Sequence, residues 1–275
     1  MVNLVAIQLT SSPNVAENLA QVEYQLSQLD TSQPTLVTLP ECVACFPDKD
    51  GQLLSIAESL GHGPIQDAFR AMAKRYNCYL VAGTVPLKTR SDSHFSASSL
   101  LISPEGEILA EYQKIHLFDV SVADSTKHYL ESKYTKAGES VVTVETPIGK
   151  IGMSVCYDVR FSGLYGAMGD VDIIVVPAAF TKVTGEAHWH TLLRARAIEK
   201  QAYVVGANQS GLHDNNRETF GHSLIYSPWG KKLAELPENA GICSAQVSID
   251  ERKALQQRMP VQQHNQFRSS FVKSS

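Results

Sequence analysis

The chain has 275 residues, of which 43% are hydrophobic and 19% are charged, and its formal net charge is -4 at pH 7. This balance is typical of a globular protein with a large core and argues against a disordered chain. The slight negative charge provides no basic surface for nucleic acid or an anionic membrane. We therefore expect a small-molecule protein with neither of these as a partner.

The first residues alternate as a β-strand does, with Leu4 and Ala6 on one side and Val5, Ile7 and Leu9 on the other. This apolar run is too short for a signal peptide, and no run approaches the roughly 20 apolar residues that span a bilayer. The cysteines number five, an odd count. Without an export signal, this favours reduced thiols and a cytoplasmic protein.

Strand-like and helix-like segments alternate along the chain. The predicted strands are 4–9, 35–39, 79–84, 98–102, 141–144, 151–155, 173–176, 203–207, 224–226 and 242–247. The predicted helices are 15–29, 65–76, 161–168, 187–200 and 250–259, with Asn14 and Asp250 as candidate N-caps. The alternation predicts an α/β fold with helices covering the strand faces. Because no linker interrupts it, we expect one domain over residues 1–275.

Three predicted strand regions run into a reactive side chain. Glu41 follows 35–39, Lys114 follows 107–113, and Cys156 follows 151–155. In α/β folds, ligands bind where loops meet at strand ends, so these side chains are candidates for one site. Residues 119–138 are polar and have no period, which is typical of a functional loop. Taken singly, each side chain also has an ordinary interpretation, as a buried thiol, a solvated lysine or a turn carboxylate.

The three residue types together suit acyl transfer. A thiol becomes a strong nucleophile when a neighbouring carboxylate takes its proton. An ammonium group and a backbone N–H just after the nucleophile, here that of Tyr157, can stabilise the oxyanion. This chemistry needs neither a metal nor an organic cofactor, so we expect none.

Three stretches resemble the nitrilase, or carbon–nitrogen hydrolase, superfamily in order and spacing. They are TLPECVACF, EYQKIHLFDV and GMSVCYDVRF. The similarity continues through VVPAAFTKVTGEAHWHTLLRARAIEKQAYVVGANQSG and GHSLIYSPWG, so it extends from residue 4 to about residue 266. The resemblance implies an αββα four-layer sandwich, which the pairing of two subunits extends to αββααββα. A homodimer is therefore expected, with a homotetramer as the alternative.

By the same resemblance, Cys156 is the nucleophile, Glu41 the general base, and Lys114 the cation that stabilises the oxyanion and relays protons. Glu131 matches a second glutamate that relatives place near the lysine. The implied reaction is hydrolysis of a linear amide through a thioester acyl-enzyme, with release of ammonia. One departure is Phe95-Ser96, where many relatives carry Tyr-Asn, which puts the shape of the substrate access or a subunit contact in question.

Within the superfamily, the chain is similar to amidases that act on deaminated glutathione and on ω-amides of 2-oxo acids. The similarity lies in KIHLFDV, TGEAHWHTLLRARAIE and ANQSGLHDNNRETFGHS, and the histidine-bearing loop 213–222 favours the first substrate. The alternatives are an ω-amidase, an N-carbamoyl hydrolase, an acyl transferase and an inactive interaction protein on the same scaffold. A nitrile is less favoured, because nitrilases proper usually differ around the nucleophile.

Four residues are candidates for substrate binding: Tyr157, Arg160, Phe180 and Thr181. A guanidinium group can pair with a substrate carboxylate through two hydrogen bonds, although Arg160 could equally brace the turn through Asp158 or Glu41. In the following helix, Arg194 and Arg196 are expected to form structural ion pairs.

Two features hint at metal or redox chemistry, and neither is favoured. Cys42 and Cys45 form a CxxC motif, but no second motif and no thioredoxin-like context accompany it. His188 and His190 lie two residues apart, so on a helix they point to different faces and do not form a metal-binding pair.

Overall fold

Two six-stranded sheets form the centre of the computed structural model, which describes residues 1–49, 51–124 and 126–272. The strands are β1 (Val2–Gln8), β2 (Thr35–Thr38), β3 (Tyr79–Lys88), β4 (Phe95–Ile102), β5 (Ile108–Gln113), β6 (Asp119–Ser121), β7 (His128–Leu130), β8 (Thr143–Thr146), β9 (Gly149–Met153), β10 (Ile173–Ala178), β11 (Tyr203–Asn208), β12 (Ser210–Leu212), β13 (Glu218–Phe220), β14 (Leu224–Tyr226), β15 (Lys232–Glu235) and β16 (Gly241–Val247). The α-helices are α1 (Val15–Ser27), α2 (Gln52–Ser55), α3 (Pro64–Arg75), α4 (Ser162–Ala167), α5 (Lys182–Lys200), α6 (Ile249–Arg258) and α7 (Val261–His264).

The two large sheets have related topologies. The first has the order β16-β1-β2-β3-β4-β5 and the second β15-β14-β11-β10-β9-β8. In each sheet three central strands are parallel, β1, β2 and β3 in one and β9, β10 and β11 in the other, and the outer strands are antiparallel. Parallel neighbours need a crossover, and helices such as α1, α4 and α5 supply it. The two-stranded pairs β6–β7 and β12–β13 complete the sheet structure described.

The side chains on the two faces of strand β1 belong to two different hydrophobic cores. Leu4 and Ala6 belong to a cluster with Ile173 of β10 and Trp189 of α5. The opposite face of β1 belongs to a second cluster, which includes Val22 of α1 and residues of α3. The layers are therefore α1 and α3, first sheet, second sheet, then α4 and α5, which confirms the expected αββα sandwich.

Most predicted elements are present, with shifted ends. The strand predicted at 141–144 is β8, two residues later, and the strand predicted to end at 155 ends at Met153. Helix α5 begins at Lys182, because the Thr181 side chain accepts the Thr184 N–H as an N-cap. Asn14 caps α1 as predicted, but Ser248 rather than Asp250 caps α6.

The prediction missed the short strands. The polar segment 119–138 contains β6, β7 and a 3₁₀-helix, and the loop 213–222 belongs largely to the hairpin of β12 and β13. Strands of three residues leave too short a pattern for periodicity to detect. None of the helices in the described part of the chain is long and apolar enough to cross a membrane.

Candidate active site

Cys156 lies on a sharp turn between the second sheet and helix α4. Ser154 and Val155 separate it from β9, and it begins a 3₁₀-helix, Cys156–Arg160. Its φ of 50° is in the left-handed region, which a non-glycine residue seldom adopts without a functional reason. The side chain is buried, with 6% of the residue exposed. The turn thus holds the thiol on a rigid element at the edge of a cavity.

The buried carboxylate of Asp158 fixes that turn to the first sheet. It accepts the Val155 N–H at 2.9 Å and the Tyr112 hydroxyl at 2.7 Å. It also accepts the His116 N–H at 3.0 Å and lies 2.7 Å from His116 Nδ1. Because Tyr112 is on β5 and His116 follows it, Asp158 sets the distance between the nucleophile and the strand that carries Lys114. Sequence reasoning considered Asp158 only as a partner of Arg160.

Glu41 follows β2 and reaches across to the second sheet. Its Oε2 accepts the Ala179 N–H at 3.0 Å, and its Oε1 accepts a hydrogen bond from Lys114 Nζ at 2.8 Å. The next residue, Cys42, has a φ of 57°, and its N–H donates to Thr84 Oγ1 at 2.8 Å. Each oxygen of the Glu41 carboxylate therefore accepts a hydrogen bond, and the backbone bend at Cys42 fixes the residue that carries it.

Lys114 follows β5 directly, and its ammonium group joins the two glutamates. Its Nζ lies 2.8 Å from Glu41 Oε1 and 3.0 and 2.8 Å from the two carboxylate oxygens of Glu131. Glu131 begins the 3₁₀-helix Glu131–Lys133 and also accepts the Phe118 N–H at 2.7 Å. The structure thus brings Glu41, Lys114 and Glu131, three of the four predicted catalytic residues, into direct contact.

The pKa shifts distinguish the two glutamates that contact Lys114. Burial is the largest influence on the pKa of Glu41 and raises it, but the charge and hydrogen bond of Lys114, with the Cys156 hydrogen bond and the Arg217 charge, together leave that pKa below its ordinary value. Burial and the Glu41 charge together leave the pKa of Glu131 raised, despite Lys114. For Lys114, burial lowers the pKa, yet Glu131 and Glu41 raise it well above its ordinary value. Glu41 is therefore the ionised carboxylate and Lys114 the cation.

The nucleophile is held as a neutral thiol. Burial raises the pKa of Cys156 well above its ordinary value, and the Glu41 charge raises it further, while Lys114 and the Ala179 N–H act in the opposite direction. A thiol in this state reacts only if a base removes its proton during attack. The ionised Glu41 is the base that the geometry offers.

Two glycines allow the backbone to pass very close to the segments that carry Glu41 and Lys114. A Cβ added at Gly83 would lie 1.7 Å from the Pro40 carbonyl oxygen, next to Glu41. A Cβ added at Gly138 would lie 2.2 Å from the Gln113 carbonyl oxygen, next to Lys114. Neither distance is tolerable, so any side chain at these positions would displace the backbone that carries the base or the cation.

A cavity of about 430 Å³ opens over these groups, a size that suits a small-molecule ligand. Its lining includes the four predicted catalytic residues, and also Tyr157, Phe180 and Thr181 as predicted for substrate binding. The segment 119–138 contributes one wall through residues that include Tyr129. Phe95, the first residue of the unusual Phe95-Ser96 pair, also lines it.

Arg160 is placed differently from the prediction. It is not among the residues that line the cavity; its Nη1 lies 3.1 Å from His188 Nδ1, and its guanidinium stacks over the rings of Tyr157 and Phe180. Among the contacts of the described residues, it pairs with neither Asp158 nor Glu41. The cavity holds a different arginine, Arg217, which directly precedes β13 and which sequence reasoning named only as part of the loop 213–222.

The two arginines expected to form structural ion pairs differ: among the described residues Arg194 is exposed and forms none. Arg196 pairs with Glu199 at 2.7 Å and donates from Nε to the Val159 carbonyl at 2.9 Å. Cys42 and Cys45 carry free thiols, and burial raises the pKa of Cys45 to about 11. Burial and the Glu41 charge also raise the pKa of Cys42, so neither thiol has the lowered pKa that is typical of a reactive cysteine.

One cluster of possible metal ligands occurs in the described part of the chain, between α5 and the edge strand β15. His190 Nε2 and His222 Nδ1 lie 2.5 and 3.1 Å from the same oxygen of Glu235, and Lys232 contacts the other oxygen. Sequence spacing paired His190 with His188 and so missed these partners, which lie far apart in the chain. Hydrogen bonds to the two histidines and the lysine account for the cluster, and the Lys232 charge opposes a cation there.

Comparison with known proteins agrees with this geometry. The sequence pattern described as carbon-nitrogen hydrolase matches residues 4–257. The chain is 42% identical to the deaminated glutathione amidase of Yersinia enterocolitica over 98% of this chain and 95% of that protein. The crystal structure of the Caenorhabditis elegans NitFhit protein has a TM-score of 0.87 at 33% identity, covering 96% of this chain and 65% of that one. That of Saccharomyces cerevisiae Nit3, described as a member of the nitrilase superfamily, has a TM-score of 0.83 at 27% identity, covering 94% of each chain.

Proposed function

The chain belongs to the carbon–nitrogen hydrolase family and is an amidase hydrolase, and we propose that its substrate is deaminated glutathione, with Cys156 as the nucleophile. The observation that carries the chemistry is the buried cluster of Lys114 with Glu41 and Glu131 beside a thiol on a strained turn. The substrate rests on the relatives that carry this name, such as the 42% identical protein from Yersinia enterocolitica.

The acylation step follows from the protonation states. Glu41 takes the thiol proton as Cys156 Sγ attacks the amide carbonyl carbon. Lys114 and the Tyr157 N–H stabilise the oxyanion; the first N–H groups of a helix have no acceptor within it and so are available to a ligand. The proton on Glu41 passes to the departing nitrogen, the C–N bond breaks, and a thioester remains on Cys156.

Deacylation reverses the roles of the same groups. Water takes the place of the amine, and Glu41 removes its proton as the oxygen attacks the thioester carbonyl. Lys114 again stabilises the oxyanion, and the proton returns from Glu41 to the sulfur as the acid leaves. Glu131 keeps Lys114 charged and in place through its two contacts to Nζ.

The identity of the leaving amine distinguishes the candidate substrates. The scissile amide of deaminated glutathione is substituted, so its hydrolysis gives 2-oxoglutarate and cysteinylglycine. An ω-amide such as 2-oxoglutaramate gives the same acid and ammonia, and an N-carbamoyl amino acid gives ammonia and carbon dioxide. The release of ammonia expected from sequence therefore applies to primary amides and N-carbamoyl compounds.

The test measures all of these products from one panel. Purified protein is incubated with deaminated glutathione, 2-oxoglutaramate and an N-carbamoyl amino acid, and 2-oxoglutarate, cysteinylglycine and ammonia are quantified. We expect the highest kcat/KM for deaminated glutathione and no turnover of it by Cys156→Ala. A higher kcat/KM for either other compound would overturn the substrate, and full activity of Cys156→Ala would overturn the mechanism.

We further propose that residues 1–275 act as one domain and that the protein works as a homodimer in the cytoplasm. Helix α5, on the outer face of the second sheet, exposes 42% of Val183 and 45% of Ile198, which supports a second αββα unit packing there. The free thiols of all five cysteines support a reducing compartment. Light scattering of the purified protein tests the dimer, and a monomeric mass would contradict it.

A further inference from the structure

Arg217 has an unusual set of contacts for a cavity arginine. Its Nη2 donates to the Ala179 carbonyl oxygen at 2.6 Å, and its guanidinium lies over the rings of Phe46, at 5.4 Å, and Tyr129, at 5.0 Å. Its Nε is buried and has no hydrogen-bond partner. Because a buried donor left without an acceptor is costly, this group calls for an acceptor that arrives with a ligand.

The charge of Arg217 is also unbalanced. Within the described part of the chain, no carboxylate forms an ion pair with it, whereas Lys114, another cation that lines the cavity, is paired with Glu41 and Glu131. The neighbouring His213 adds no charge at neutral pH, because burial lowers its pKa to about 4. Arg217 therefore faces the cavity as a cation without an ion-pair partner among the described residues, although its charge is felt at Glu41, whose pKa it helps to lower.

The surrounding hairpin holds the guanidinium in place. The His213 ring stacks on Phe46 with centroids 3.6 Å apart, and Arg217 covers the same aromatic ring. The backbone N–H of Arg217 donates to Asn215 Oδ1, and Asn215 Nδ2 donates to the Pro47 carbonyl oxygen. A guanidinium fixed in this way loses little conformational entropy when it binds a planar anion.

The position of Arg217 also limits how far a bound anion lies from the catalytic base Glu41. Arg217 binds the carbonyl of Ala179, the residue whose N–H binds Glu41. An anion at Arg217 therefore lies close to the catalytic base, at a distance that a short acyl group can span. The 2-oxoglutaryl half of the proposed substrate is such an acyl group, with a carboxylate at its end.

We propose that Arg217 binds the carboxylate next to the keto group of the acyl half and so makes the enzyme specific for amides of 2-oxo dicarboxylic acids. This inference rests on the proposed function for its substrate class and gives Arg217 the role that the sequence suggested for Arg160. An arginine can form two parallel hydrogen bonds to a carboxylate, and its unpartnered Nε would supply one of them.

The test compares two substrates that share the cysteinylglycine leaving group. One is deaminated glutathione, and the other has a methyl group in place of the carboxylate beside the keto group. We expect the wild type to prefer the first by about 10- to 150-fold in kcat/KM, the range for a charge-assisted hydrogen bond. Arg217→Met should remove the preference while still hydrolysing the neutral analogue, and Arg217→Lys should restore part of it.

Arg160→Met is the matched control, because it removes a guanidinium that lies outside the cavity lining. It should keep the wild-type ratio between the two substrates. If Arg217→Met keeps that ratio, or if Arg160→Met abolishes it, the assignment to Arg217 is wrong. Circular dichroism of each variant establishes that it is folded.

A binding experiment separates this inference from the proposed function. Cys156→Ala is titrated calorimetrically with 2-oxoglutarate and with 4-oxopentanoate, first alone and then combined with Arg217→Lys. We expect 2-oxoglutarate to bind at least about 10-fold more tightly, with the difference reduced in the double variant. This outcome supports the Arg217 site even if the wild type hydrolyses neither conjugate, which would overturn only the proposed substrate. Equal binding of the two acids overturns the Arg217 site.

Discussion

At the catalytic end of the cavity, the Lys114 ammonium is paired with two carboxylates, whereas at the hairpin end the Arg217 guanidinium rests on two aromatic rings and one carbonyl. Both groups are cations of one small site. The first forms ion pairs with two glutamates, whereas the second forms none among the described residues and is proposed to bind a carboxylate of the substrate. The comparison indicates that one end performs chemistry on any bound amide and the other selects which amide is bound.

This difference predicts how variants will behave. Changes at the catalytic end should lower the rate for every substrate, because the same groups serve each turnover. Changes at the hairpin end should alter the ratio between substrates, because only a carboxylate-bearing acyl group contacts Arg217.

The largest expected effect comes from removing the nucleophile. Cys156→Ala should lower kcat for all amides by at least about 10⁴-fold, since Cys156 is the thiol that shares a hydrogen bond with the base Glu41. Cys243→Ala is the control, because that thiol is buried on β16 and its Sγ faces the Ser223 carbonyl, away from the cavity lining. Comparable losses in both variants would point to a folding defect and contradict the assignment of Cys156.

A backbone change at the catalytic end should have the next largest effect. In Gly83→Ala the new methyl group would meet the Pro40 carbonyl oxygen, and the displaced backbone would carry Glu41 away from Cys156. We expect kcat to fall by about 100-fold, as a displacement of about 1 Å can cause, and the protein to lose about 1–3 kcal/mol of stability.

Gly163→Ala provides the comparison for that variant. The added methyl on helix α4 would have its nearest neighbour 3.8 Å away, so kcat should be unchanged and stability should rise by about 0.5–1 kcal/mol. Steady-state kinetics and urea unfolding measure both quantities. An unchanged kcat in Gly83→Ala would show that the position of Glu41 is not critical.

The pH dependence of kcat/KM should reflect Glu41. Burial raises its pKa, but the combined effect of Lys114, the Cys156 hydrogen bond and the Arg217 charge lowers it on balance, so the active ionised form persists to below the ordinary glutamate value of about 4.3. With a neutral amide as substrate, we expect a plateau from about pH 8 down to about pH 5 and a fall only at lower pH. A decline that begins above pH 6 would contradict an ionised Glu41 in the free enzyme.

The smallest effect on activity is expected outside the cavity, at Glu235. This carboxylate is paired with charged groups, as Glu41 is, but takes no part in catalysis. Despite burial, which raises its pKa, hydrogen bonds from Lys232, His190 and His222 lower it to about 2. A lowered pKa in the folded state stabilises the protein above the unfolded value of about 4.3, and the stabilisation is lost as the pH falls towards 2.

Glu235→Gln should therefore lower Tm by about 2–4 °C at pH 7, equivalent to about 1 kcal/mol, and by progressively less below pH 4. Its kcat should match the wild type, because Glu235 does not line the cavity. A Tm difference that grows on acidification would contradict the lowered pKa.

Much of the fold could be predicted from the sequence, because its long elements carry strong patterns. The alternating pattern of the first strand correctly assigned Leu4 and Ala6 to one core and Val5 and Ile7 to the other. The long helices were found from the periodicity of their apolar residues. The start of α5 was missed because its first turn is polar and contains Gly185, so only the Thr181 cap marks it. Short strands such as β6 and β12 are formed through pairing, which a local pattern does not encode.

The site was predictable where motifs lie at strand ends, and less so where contacts join distant segments. Glu41, Lys114 and Cys156 each follow a strand, and the resemblance added Glu131, which the structure places against Lys114. Asp158, Arg217 and the two glycines at positions 83 and 138 act through neighbours that the sequence does not place beside them. Arg160 was named as a candidate for substrate binding because it closely follows the nucleophile in sequence, whereas Arg217 was covered only by the loop 213–222. The structure places the Arg160 guanidinium beside His188.

The central claim is that Cys156 carries the acyl half of deaminated glutathione as a thioester, and mass spectrometry tests it most directly. Wild-type protein is mixed with substrate, quenched in acid during steady-state turnover, digested and mapped, with Cys156→Ala treated in parallel. We predict a 2-oxoglutaryl group on the peptide that contains Cys156 and none in the variant. Substrate turnover with the acyl group on another residue, or an adduct that carries cysteinylglycine, would contradict the account.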